Sequence, residues 1–265
     1  MQLALAQLHI EANDVAGNVA RAETAIVEAA DRGVDLVCLP EVFTVGYFSF
    51  ASYARRAEGL NGPTLSRFSD LAKEHEIAVL AGTIIEDLSE TDGGPAEEGL
   101  ANTAVFFDRD GTQSAVYRKH HLFGYGSREA ELLVPGERLP TVSFDGFEVS
   151  ITTCYDLRFP ELYRELADNG ATLVLVPSAW PYPRLEHWQT LARARAIENL
   201  CYVATTNGSG AFEDATLLGR STVYDPWGNV LASSGDAPAL VTATIDPDEV
   251  TTIREEFPAL DDRRW

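Results

Sequence analysis

The chain has 265 residues, 45% of them hydrophobic, and a mean hydropathy of -0.09, which is enough apolar material for a substantial buried core. Forty-one acidic against 20 basic residues leave a net charge of -21, and this excludes a surface built for nucleic acid or anionic membrane, because like charge repels both. No stretch approaches the ~18 apolar residues of a membrane span, and the opening MQLALAQLHIEAND is too poor in apolar and basic residues for a signal peptide, so the expectation is a cytoplasmic protein.

Taken in order, apolar β-branched runs alternate with helix-like segments, the pattern of an α/β protein. LALAQL (3–8) reads as a strand, Asn13 and Asp14 offer N-caps for a helix over about 15–32, and Gly33 ends it before the strand VDLVCLP. A helix over about 64–75 and the strand IAVLAGTII follow. EDLSETDGGPAEEGL is polar, acidic and Gly/Pro-containing, hence a surface loop. ANTAVFFD and TQSAVYRK form a hairpin through Arg109-Asp110-Gly111, and an irregular Gly-rich excursion, LFGYGSREAELLVPGE, comes next. VSFDGFEVSITTC makes a second hairpin at Asp145-Gly146, a helix starts near Pro160, and ATLVLVPSAW is a buried strand. EHWQTLARARAIENL sets Trp188, Leu191, Ala192 and Ala196 on one helix face. CYVATTN, RSTVYD, GNVLAS and ALVTATI are further strands. Both halves supply strands and helices, no short-period repeat is visible, and the order of strands is left open.

The three cysteines are widely spaced, with no CxxC pair. Cys38 and Cys201 lie within apolar runs, where a thiol acts as a small hydrophobe, whereas Cys154 ends one. It sits on a sharp strand-to-helix turn, which projects the sulfur and lets the Tyr155 N–H face the same point, the arrangement a nucleophile needs; a buried thiol at a strand end is the alternative. Glu41, after LVCLP, stands at a strand's C-terminal end, where α/β proteins bind ligands; a solvated loop acid is the alternative. Lys119, one of only two lysines with Lys73, belongs to Arg118-Lys119-His120-His121, a run that by itself reads as a surface patch. A metal at His120 or His121 is disfavoured, because no HExxH-like spacing occurs and strand neighbours point to opposite faces.

LPE, YRKHHLF and CYDLRFPEL occur in this order, each at a strand end, and together resemble the nitrilase, or carbon–nitrogen hydrolase, superfamily. VPSAWPYPRLEHWQTLARARAIENLCYVATTN, GRSTVYDPWGNVLA and FPALDDRRW extend the resemblance from residue 2 to 265. It implies a single domain over 1–265 with a four-layer αββα sandwich, and a catalytic triad of Glu41, Lys119 and Cys154. It also implies a supporting glutamate before a PG pair, Glu129 with Glu131 as its rival, and no cofactor or metal. Arg220 departs from the family, in which many members carry histidine there.

A free thiol has a pKa of about 8.5, so Glu41 and Lys119 are expected to supply the base and the cation that assist it. SAWPYPRLEHW looks most like the ω-amidase segment, which implies a small amide carrying a carboxylate and makes Arg184 its candidate partner, a helix-start arginine facing solvent being the alternative. N-carbamoyl amines, aliphatic amides and nitriles are the alternatives, as is a non-catalytic binding or assembly protein of the same fold. The resemblance further implies a homodimer or higher homo-oligomer, with the tail at about 254–265 packing on a partner. Acidic surplus with scarce lysine fits adaptation to a salty cytoplasm, an ordinary acidic protein being the alternative.

Overall fold

A computed structural model describes residues 1–264. In the first half, β1 (Gln2–Gln7), α1 (Val15–Asp31), β2 (Leu36–Cys38), the short α2 (Tyr53–Arg56), α3 (Pro63–His75) and β3 (Ala78–Asp87) lead to the β4 (Leu100–Phe107) and β5 (Gln113–Arg118) hairpin. Asp14 caps α1 through Gly17 N–H, and Gly33 leaves the helix at φ 71, so the start and stop signals both operate as the residue types require. The short α4 (Glu129–Leu132) precedes the β6 (Thr141–Phe144) and β7 (Phe147–Ile151) hairpin. Then come α5 (Pro160–Asp168), β8 (Leu173–Ser178), α6 (Leu185–Asn199), β9 (Tyr202–Asn207), the β10 (Ser209–Ala211) and β11 (Thr216–Leu218) ribbon, β12 (Thr222–Tyr224), β13 (Val230–Ser233), β14 (Ala239–Thr244) and α7 (Pro247–Glu256).

One sheet has the order β14-β1-β2-β3-β4-β5 and the other β13-β12-β9-β8-β7-β6. Alternation along the strands explains why they read as almost continuously apolar. Leu3, Leu5, Leu36, Cys38 and Leu80 of the first sheet meet Phe147, Val149, Leu173, Leu175 and Tyr202 of the second in one core. The intervening residues, such as Ala4, Val37 and Val79, pack on the Ala22, Ile26, Phe68 and Leu71 faces of α1 and α3. On the far side, Val174, Val176 and Val203 pack on Leu162, Leu166, Trp188 and Ala196 of α5 and α6. A strand covered on both faces has no polar face to show, and the layers are the four of an αββα sandwich.

Two sequence expectations need correction. The acidic loop begins later than its composition suggests, because β3 runs on to Asp87 and Glu86 is fully buried, paired twice with Arg118 at 2.7 Å. On α6, Leu191 is only half-buried, and the inward stripe includes the polar Arg195 and Asn199; Arg195 Nε and Nη2 both reach Leu157 O. Of the tail over 254–265, Arg254 binds the Leu200, Ala171 and Asn199 carbonyls and Arg263 meets Asp168, while Trp265 lies outside the described residues. Among the described residues, no helix is long and apolar enough to cross a membrane.

Candidate active site

The two sheets present the C-terminal ends of their central strands to one place. Beyond β2 the chain reaches Glu41, whose N–H donates to Ser178 O at the end of β8 at 3.2 Å, while Ala179 N–H donates to Glu41 Oε2 at 2.8 Å. Glu41 thus belongs to both sheets. Close backbone approach makes this geometry depend on glycine. A Cβ on Gly82 of β3 would lie 2.1 Å from Leu39 O and 2.2 Å from Pro40 O. Gly136, of the PG pair, brings its N–H to Lys119 O at 2.9 Å, and a Cβ there would meet Arg118 O at 2.1 Å.

Lys119, just past β5, is not part of a surface patch. Its ammonium is buried and lies 2.8 Å from Glu41 Oε1 and 2.9 Å from both oxygens of Glu129. Glu129 is buried too, whereas the side chain of Glu131 is 71% exposed and reaches only toward Arg128. The glutamate beside the lysine is therefore Glu129. Three ions out of water would cost several kcal/mol each if left unsatisfied. Asn102 Nδ2 bridges Glu41 and Glu129 at 2.9 and 3.0 Å, and Tyr47 O–H and Phe123 N–H donate to Glu129 at 3.0 and 2.7 Å. Sequence reasoning missed Asn102 and Tyr47; an Asn within the apolar strand ANTAVFF was the available signal.

Cys154 opens a 3-10 turn, Cys154–Arg158, with φ 47. That left-handed conformation costs an L-residue about 1–2 kcal/mol, and it turns the half-buried sulfur into a cavity of about 730 Å³. Glu41 and the Ser178 hydroxyl lie beside the thiol. Burial pushes the Cys154 thiol up and the Glu41 charge pushes it further, with Lys119 only partly opposing them. The Lys119 ammonium already faces two carboxylates, so its pull on the thiol is weaker than the rise it opposes. Burial raises the Glu41 carboxyl above its usual range against the pull of Lys119, and Glu129 adds to the rise. Burial alone would lower Lys119, but the charges of Glu129 and Glu41 outweigh it and keep it well above its ordinary value. Cys38 and Cys201 are free and buried within the apolar cores, the Cys201 thiol being pushed up by burial to about 12.

The cavity is lined by Tyr47, Phe123, Tyr155 and Trp180, with Arg158 and Arg184 on its wall. Arg184 immediately precedes α6 and lies over the Phe123 ring at 6.0 Å. Arg158, which sequence reasoning left unassigned, packs on Trp180 at 5.1 Å and touches His187; neither has a carboxylate within ion-pair distance among the described residues. Arg220 points elsewhere, to Asp236 at 2.7 Å. His120 stacks on Tyr117, and His121 binds Asp156.

The carbon–nitrogen hydrolase family model matches residues 2–255. The chain is 37% identical to Omega-amidase NIT2 of Homo sapiens, over 99% of this chain and 95% of that protein. It is 36% identical to the 2-oxoglutaramate amidase of Paenarthrobacter nicotinovorans, over 87% of this chain and 78% of that protein. Among solved structures it resembles Nit3 of Saccharomyces cerevisiae, a member of branch 10 of the nitrilase superfamily, with a TM-score of 0.89 at 31% identity over 100% of this chain and 97% of the other.

Proposed function

Because this chain belongs to the carbon–nitrogen hydrolase family, and is an amide hydrolase of that class, we propose that it acts as an ω-amidase on 2-oxo dicarboxylate monoamides such as 2-oxoglutaramate. The observation that carries this is the pairing of Cys154, beside the buried Glu41–Lys119–Glu129 cluster, with two arginines on the same cavity wall. Arg158 and Arg184 would hold the substrate's carboxylate, leaving its terminal amide at the sulfur.

In the forward reaction Cys154 Sγ attacks the amide carbon as Glu41 takes the thiol proton, and charge collects on the carbonyl oxygen. The Lys119 ammonium and the Tyr155 N–H receive that charge; one such donor is worth about 3 kcal/mol of transition-state stabilisation. Glu41 returns its proton to the departing nitrogen, ammonia leaves, and a thioester remains on Cys154. Water then gives a proton to Glu41 and adds to the thioester, releasing the carboxylic acid and restoring the thiol. Glu129 keeps Lys119 in place throughout. The raised carboxyl of Glu41 suits it to give and take a proton in turn.

The test is a panel of ω-amides, N-carbamoyl amines, aliphatic amides and nitriles scored for ammonia, with Cys154→Ala as control. Ammonia without carbon dioxide from 2-oxoglutaramate is expected, and Cys154→Ala should release none. Carbon dioxide from a carbamoyl amine as the best substrate would replace the ω-amidase reading, and a Cys154→Ala protein working at the parent rate would sink the cysteine mechanism.

The same proposal extends to setting and assembly. Three unpaired cysteines suit a reducing cytoplasm. A homodimer or larger homo-oligomer is supported by Ile197, Trp227 and Phe257, exposed by 46%, 45% and 50%, of which the last two are in ring contact. Light scattering should give at least twice the chain mass. Halophilic adaptation is supported by the charge of -21.

A further inference from the structure

Asp156 is fully buried, two residues past Cys154, and each of its oxygens takes two hydrogen bonds. Oδ2 accepts from Tyr117 O–H at 2.6 Å and Thr153 N–H at 2.9 Å; Oδ1 accepts from His121 N–H at 2.9 Å and from His121 Nδ1 at 2.8 Å. Tyr117 and His121 flank Lys119 at minus two and plus two, and Thr153 immediately precedes Cys154. One carboxylate therefore grips both sides of the oxyanion-facing lysine and the base of the nucleophile turn. The His121 ring also lies flat on Phe159 at the end of that turn, centroids 3.6 Å apart and planes 9° from parallel. Lys119 Nζ is fixed from the other side by Glu41 and Glu129. Glu41 ties Lys119 to Ala179 after β8, and Glu129 ties it to Asn102, Tyr47 and Phe123, so the side-chain hydrogen bonds from the β5 end to the Cys154 turn run through Asp156.

We propose that Asp156 and His121 form a staple that sets the register between Lys119 and Cys154, acting as positioning residues that do not touch substrate. The proposal rests on Cys154 being the nucleophile and goes beyond that assignment. Attack and oxyanion capture need the sulfur and the ammonium held to within about half an ångström, and the left-handed Cys154 backbone has to be held against its own strain. Tyr117 stays a donor to Asp156, because burial holds its hydroxyl proton on. His121 then must carry its proton on Nδ1 to complete the set.

His121 is the place to test this, since its side chain is 32% exposed and its replacement spares the core. His121→Phe keeps the ring on Phe159 but has no donor, whereas the amide of His121→Asn can stand in for Nδ1–H. His121→Phe should lower kcat by about 10- to 100-fold, the cost typical of a small misplacement, with KM within about twofold and the circular dichroism spectrum unchanged. His121→Asn should recover most of that loss. Alkylation of Cys154 by iodoacetamide, followed by intact mass, reads the same register without turnover and should slow in His121→Phe but not in His121→Asn. The staple is refuted if His121→Phe keeps its kcat and alkylation rate, if His121→Asn loses as much as His121→Phe, or if the loss appears in KM alone. A parent protein that alkylates at Cys154 yet releases no ammonia from any amide would instead defeat the functional proposal, and the alkylation comparison would still decide the staple.

Discussion

Glu41 carries the most consequential single perturbation, because its proton affinity is set by neighbours that point in opposite directions. Burial raises its carboxyl, Lys119 lowers it, and Glu129 raises it again. In its proposed role as general base it works only when deprotonated, so kcat/KM should fall with acidification at a pH above the ordinary carboxylate value of about 4.3. Glu129→Gln removes a negative neighbour, which makes the proton on Glu41 easier to lose. The acid limb of the variant should therefore move to lower pH, while kcat drops by one to two orders of magnitude as Lys119 loses an anchor. An unmoved limb, or one shifted to higher pH, would show that the limb belongs to another group. Local sequence made Cys154 legible, since a cysteine ending an apolar run before a helix has few other uses. It could not choose between Glu129 and Glu131, because residues two apart on a helix face different ways and only the docking of α4 decides which one turns inward. Asp156, within CYDLRFPEL, shows no role in the sequence, because its partners Tyr117 and His121 come from the end of β5 and the residues just past it.

At the scale of elements, the strands and long helices were legible because burial on both faces of a strand and on one face of a helix leave different periods. Of the pieces that escaped, α2, α4 and the β10–β11 ribbon are three or four residues long, too short to show any period, whereas α7 is ten residues long and buries only Val250 and Ile253, too few apolar positions to mark a face. Gly82, inside the readable strand IAVLAGTII, marks where an element touches the site. A strand interior ordinarily disfavours glycine, but here the missing Cβ lets β3 run against the Leu39 and Pro40 carbonyls that lead into Glu41. Gly82→Ala should cost about 1–3 kcal/mol in urea denaturation, the usual penalty of overpacking, and should reduce kcat by displacing Glu41. Gly235 has open space around it and no positive φ, so Gly235→Ala should be neutral or stabilising by up to about 1 kcal/mol. Equal effects at the two positions would mean that close approach is not what Gly82 provides.

For the whole molecule, each sheet runs antiparallel, parallel, parallel, antiparallel, antiparallel across its six strands, from β14 to β5 in one and from β6 to β13 in the other. This internal likeness was invisible as a sequence repeat, since opposite faces of equivalent strands need only be apolar. Strand order was equally hidden, because β14 closes on β1 from the far end of the chain. Charge, by contrast, is a property of the whole chain and was fully legible. A net charge of -21 repels itself over a screening length of about 10 Å at 0.1 M salt and about 3 Å at 1 M. Salt also weakens surface ion pairs such as Arg32–Glu28, but each is worth only about 0–1 kcal/mol, so relief of repulsion should win. The melting temperature should accordingly rise between 0.05 M and 2 M KCl, by about 2–4 °C for each kcal/mol gained in a chain of this size. Chloride is the anion to use, because sulfate strengthens apolar burial whatever the charge. Replacing the exposed Glu97, Glu98, Glu255 and Glu256 by glutamine should raise stability at low salt and shrink the salt effect. A melt already as high at 0.05 M as at 2 M KCl would leave an ordinary acidic protein.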